Sequence, residues 1–197
     1  MERESLEQFV PDYLTRDQKS SLLSALKAFP KKANYYDAFP KPGILQGDCF
    51  NYVPIRRLSD GTMSDVDCLV LSNTCDVDSS NKRLYPANVV VAPLIAVAAF
   101  RELLVKKGVD INAIDSHIGA IQQQAITNIF YLPQGGDFVG DRIARFDHCY
   151  SLPLQIFENA ISKGRRLVSL SQLGFWVLTF KVSVHFCRMQ EGISRAT

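Results

Sequence analysis

The pattern of apolar and polar positions divides the chain into a helical arm, a central β-rich region and a second helical segment. In "TRDQKSSLLSALKAF" Thr15 is followed three residues later by Gln18, the capping-box spacing that satisfies unpaired amides at a helix start. Leu22, Leu23, Leu26 and Phe29 then share one helical face, and Pro30 closes the element. "PKKANYYDAFPKPG" reads as a linker, with Tyr35 and Tyr36 either packed onto the core or offered as a stacking platform for bases. From Ile44 the period becomes that of strands. "ILQGDCFNYVPIRRL" predicts a strand bent at Gly47-Asp48, "SDGT" (59–62) a hairpin turn, and "VDCLVLS" a second strand. "ANVVVAPLIAV" is apolar throughout, as a strand covered on both faces would be.

Two helices are predicted next, in "AAFRELLVKKG" and "INAIDSHIGAIQQQ", the second with Ile111, Ile114, Ile118 and Ile121 at intervals of three and four. "ITNIFYLP" and "DRIARFDHCYSL" read as two strands joined through "QGGDFVG", and "PLQIFENAIS" as a short helix. Residues 167–187 fit two periods. Leu178, Phe180, Val182, Val184 and Phe186 alternate like a strand, whereas Leu173, Trp176, Phe180, Val184 and Cys187 share a helical face. Length favours the helix. The expected organisation is α+β: an arm over 1–40, a β core with a helical insertion over 41–153, and a helical segment over 154–197.

Composition narrows the class. Apolar residues make up 47% of the 197 positions and charged residues 21%, a globular balance. The five cysteines are odd in number and contain no CxxC, and the opening "MERESLEQF" is charged, so a cytoplasmic protein with unbridged cysteines is expected. The long apolar segment carries Ser169, Gln172, Lys181 and His185, which speaks against a membrane span. The net charge of +2 hides a tilt. From Arg142 onward eight Lys/Arg face three Asp/Glu, which points to an anionic partner, with Arg165 and Arg166 as an anion-binding pair at the surface near a helix start.

Motifs for metals and cofactors are incomplete. Asp76, Asp78 and Ser80 have the opening spacing of a calcium loop, but Asn81 stands where glycine is needed and Ala87 where glutamate is needed. The three histidines lie far apart, and "QGGDFVG" lacks the Lys-Ser/Thr of a phosphate loop, so no metal or cofactor is expected. No Cys-His pair with an orienting third group is visible in the local sequence.

"LQGDCF", a hairpin and "CLVLSNTCD" together resemble the small β-barrel of the PemK/MazF toxin group, and "VVVAPL" followed by a helix and "FYLP" continues the similarity to about residue 153. The resemblance implies a barrel with inserted and flanking helices in a bacterial toxin–antitoxin or phage-defence system. RNA or a cognate protein would be the partner. It also implies metal-independent RNA cleavage by a basic residue and a hydroxyl near the strand mouth. Gly47 and Asp48 match the bend and Ser72 the strand end. The basic residue expected before the Val-Leu-Ser strand is replaced by "SDVDC", and between Leu58 and Asn81 there are five aspartates and no Lys or Arg. Only Arg56 or Arg57 could then act with Ser72 or Thr74. The alternative is a barrel without the chemistry, serving as a protein or nucleic-acid interaction module. For Cys75 and Asp76 the expected roles are structural, Asp76 accepting loop amides and Cys75 filling a tight packing position, with a chemical role as the alternative.

Overall fold

The computed structural model describes residues 34–38, 41–57 and 60–187. The helix expected over 15–29, part of the linker, Leu58 and Ser59 of the hairpin and the chain after Cys187 lie outside them. Among the described residues seven strands form one antiparallel sheet: β1 (Cys49–Arg56), β2 (Met63–Val70), β3 (Asn88–Ala96), β4 (Ile129–Leu132), β5 (Arg142–Arg145), β6 (Tyr150–Pro153) and β7 (Arg166–Val168). Their order is β4-β5-β3-β2-β1-β7, with β6 also paired to β3. Among the described residues five helices surround them: α1 (Thr74–Val77), α2 (Val97–Lys106), α3 (Ile111–Gln122), α4 (Leu154–Ser162) and α5 (Gln172–Phe186).

Both faces of the sheet are covered, because successive residues of a strand point to opposite sides. Cys49, Leu69, Ala92 and Val168 enter a cluster with Phe130, Phe146, Val177 and Leu178, beneath α5. Phe50, Cys68, Val70 and Val91 enter the other with Phe157 and Ala160, beneath α4. Phe50 and Phe157 meet edge to face at 5.6 Å. Helices α2 and α3 pack over β4 and β5 through Phe100, Ile121, Ile129 and Ile143.

Three sequence expectations change. "DRIARFDHCYSL" forms two strands along one margin of β3, Arg142–Ala144 against Leu94–Ala96 and Tyr150–Pro153 against Asn88–Val91. The break falls opposite Pro93. Val90 turns its N–H and C=O toward the β2 side, bonding Ser72 and Leu71, so alternation turns Pro93 the other way. Proline has no N–H to offer there, and residues 146–149 loop out. Residues 167–187 are not one helix: β7 comes first, then a Ser171 N-cap whose Oγ accepts from the Gly174 amide opens α5. Residues 154–197 are therefore not purely helical, since β7 pairs with β1 and extends the sheet of the core.

The sheet is open. β4 and β7 are its outer strands, and segment 34–37 lies between them. Tyr36 bridges Leu170, and its hydroxyl donates to Pro133 O at 2.5 Å. Gly136 presses on β7 so closely that a Cβ would stand 2.4 Å from Val168. A cleft of about 390 Å³ between residues 34–38 and 133–136 marks this seam. The two tyrosines serve packing: Tyr35 is 2% exposed and stacks near Phe130. Gln124 covers the outer margin of β4. Its side chain donates to Tyr131 O at 2.7 Å and accepts from Tyr131 N at 3.2 Å, as a neighbouring strand would.

Candidate nucleic-acid interface

The residues proposed for cleavage are not brought together. Arg56 pairs with Met63 at the hairpin end of β1 and β2, and its Nε donates to Gly61 O. Arg57 belongs to the same turn, with its amide on Thr62 O. Ser72 lies nine residues beyond Met63 and past the far end of β2, so at about 3.3 Å per residue the backbones stand at opposite ends of the strand, up to roughly 30 Å apart. Each hydroxyl has a structural partner. Ser72 Oγ accepts from Val90 N at 2.7 Å and Thr74 Oγ1 from Gln46 N at 3.0 Å.

The Cys75–Asp76 loop is built differently from the sequence reading. Asn73 Oδ1 accepts from Cys75 N and Asp78 Oδ1 from Ser80 N, so these two residues fasten the loop. Asp76 is exposed and contributes its carbonyl, which accepts from Arg83. Cys75 is exposed as well, and the packing position belongs to Val77. Four residues on a short helix place Val77 inward and its neighbours outward.

The Gly47-Asp48 bend is a buried junction. Gly47 takes φ +93° and has Leu170 against its Cα, so no side chain fits. Asp48 is fully buried. Its Oδ1 accepts from Ser169 Oγ at 2.6 Å and its Oδ2 from Leu45 N at 3.0 Å. Arg166 Nε stands 3.3 Å from Oδ2, within ion-pair range but not aligned as a hydrogen bond. The guanidinium also donates to Lys41 O and Gly43 O and lies over the Phe50 ring. Burial pushes the Asp48 carboxyl up, and Ser169, the Leu45 amide and Arg166 pull it back. Arg166 is therefore not a surface cation at a helix start. It sits in β7 and its charge is answered inside the fold.

Arg165, the other member of that pair, is half-buried and lies against Tyr52. Its guanidinium lies 5.6 Å from the ring centre of Tyr52 and donates to Tyr52 O at 3.4 Å. Tyr52 sits in a β-bulge: Phe50 pairs with Cys68 and Val53 with Val66, so Asn51 and Tyr52 together oppose Asp67. There Tyr52 takes φ +53°, a conformation that glycine adopts without strain and that costs another residue about 1–2 kcal/mol. Its side chain gains little from the core in return, being 59% exposed. Lys163 is exposed two residues before Arg165, exposed Lys41 offers its carbonyl to Arg166, and Asp67 stands across the bulge. Nothing in the sequence marks Tyr52; a bulge shows only once the register of β1 and β2 is known.

Burial raises the thiols of Cys49 and Cys68 well above their usual range, so both behave as small apolar groups. Among the described residues no group of three or more His, Cys, Asp or Glu is arranged to hold a metal, and no helix is long and apolar enough to cross a membrane. Compared with known protein families and with curated proteins, the sequence matches none.

Proposed function

We propose that this protein is a PemK/MazF-like interaction module that binds RNA beside β1 and β7 and does not cleave it. The observation that carries the reading is Tyr52: a strained, exposed aromatic ring held against the half-buried Arg165. Base stacking on such a ring is worth about 1–3 kcal/mol, and an adjacent guanidinium suits the phosphate chain. The distance between Arg56 or Arg57 and Ser72 or Thr74 supports binding over cleavage, because charge stabilisation must reach the reacting atoms. The antiparallel hairpin with its Gly47-Asp48 bend is in keeping with the family resemblance, and a closed barrel would follow if the seam at 34–37 acts as its last strand. Expected cellular contexts are a bacterial toxin–antitoxin or phage-defence locus and the cytoplasm.

Tyr52→Gly tests this directly. Glycine suits the backbone, so the variant should be as stable as wild type or more so, while affinity for a labelled single-stranded RNA falls roughly tenfold or more. Arg165→Ala should weaken binding and reduce its salt dependence by about one phosphate contact. Unchanged affinity in both variants would refute the interface. RNA shortened during the assay would refute the non-cleaving reading.

A further inference from the structure

Lys181 lies in α5 among Val177, Leu178 and Val182, and it is 4% exposed. Its Nζ donates to Gln124 O at 3.0 Å and to Ile126 O, both in the turn between α3 and β4. Among the described residues no carboxylate lies within ion-pair range of it, whereas the other deeply buried charge, Asp48, has Arg166. The turn it grips is itself strained, since Gln124 holds φ +58° to place its side chain on β4. The amine thus fastens the last helix to the element that covers the outer strand.

We propose that Lys181 is a pH-sensitive latch: the uncharged amine, with its donors on two carbonyls and no carboxylate beside it among the described residues, ties α5 to the α3–β4 turn, and protonation of the buried amine loosens the attachment. Titratable and charged groups carried by the surrounding elements include Tyr35 and Tyr36 from the first segment, Cys49 from β1, Asp115 and His117 on α3, Tyr131 on β4, Asp141, Arg142 and Arg145 at β5, and Asp147 and Cys149 before β6; burial is what displaces Lys181. On α5 itself His185 interacts with Asp147. Burial keeps Tyr35, Tyr36, Tyr131 and Cys49 neutral to high pH. Without a counter-ion, burial disfavours the ammonium and lowers the Lys181 pKa to about 7. Below that value folded and unfolded chains both carry the proton, and the buried charge weighs fully against folding. Above it the folded chain loses the proton while the unfolded chain keeps it to about pH 10.4, so stability rises with pH. From pH 6 to 8 the attachment tightens about tenfold.

Trp176, the single tryptophan, lies on α5 and reports its state without a label. Urea titrations of the full chain at pH 6 and pH 8, followed by Trp176 emission, should show an unfolding constant about tenfold smaller at pH 8. Lys181→Met should abolish that step and be at least as stable at pH 6 as wild type. Lys181→Gln, which keeps a donor but no charge, should also abolish the step and serves if the methionine variant does not fold. His185→Gln should retain it. A wild type with no step, a step persisting in both Lys181 variants, or a step lost in His185→Gln would overturn the latch.

Discussion

Asp48 and Arg166 show how one residue's meaning depends on another 118 positions away. Each satisfies a charge that the other would leave buried, so removing either alone should cost about 3–5 kcal/mol. Asp48→Ala and Arg166→Ala should both lower the urea midpoint strongly, and the double variant should lose clearly less than the sum of the two. Additive losses would mean that the pair is not coupled. The sequence made the bend at Gly47 legible, because glycine before aspartate marks a turn at any separation. It could not reveal the pairing, since nothing near "GRRL" says which arginine turns inward. Arg165 and Arg166 are chemically identical, and the start of β7 between them leaves one against Tyr52 and turns the other to Asp48.

The elements were more legible than their joints. The β1–β2 hairpin, α2, α3 and α4 lie where periodicity and punctuation put them, because local pattern and tertiary burial agree there. Residues 142–153 differ because the missing N–H belongs to another strand, at Pro93. Residues 167–187 carry both periods because they hold both structures, and Ser171 is the capping signal that divides them. The exit from β2 is fixed by side chains that the sequence offered as chemistry. Ser72→Ala and Thr74→Val each leave a backbone amide without its acceptor and should cost about 1–2 kcal/mol. RNA affinity should be unchanged in both. Thermal denaturation beside a binding titration checks this, and loss of binding in a stable variant would return these hydroxyls to the functional site.

Across the whole molecule, the expected boundary at 154 does not separate an independent unit. Phe157 and Ala160 complete the cluster on one face of the sheet, and Val168, Val177 and Leu178 complete the other. A chain ending at Pro153 should therefore lack a cooperative unfolding transition by circular dichroism; a sharp transition would restore the boundary. The late arrival of β7 also bears on synthesis. β1 spans Cys49–Arg56 and pairs with β2 on one side, but the partner on its other side is not complete until residue 168. At about 5–20 residues per second, more than a hundred further residues take roughly 6–25 s. For that interval a nascent chain on the ribosome carries an unpaired strand edge, the kind that invites pairing with a neighbouring chain. Polysomes crowd such chains together, so faster translation through residues 57–168 should raise the soluble yield.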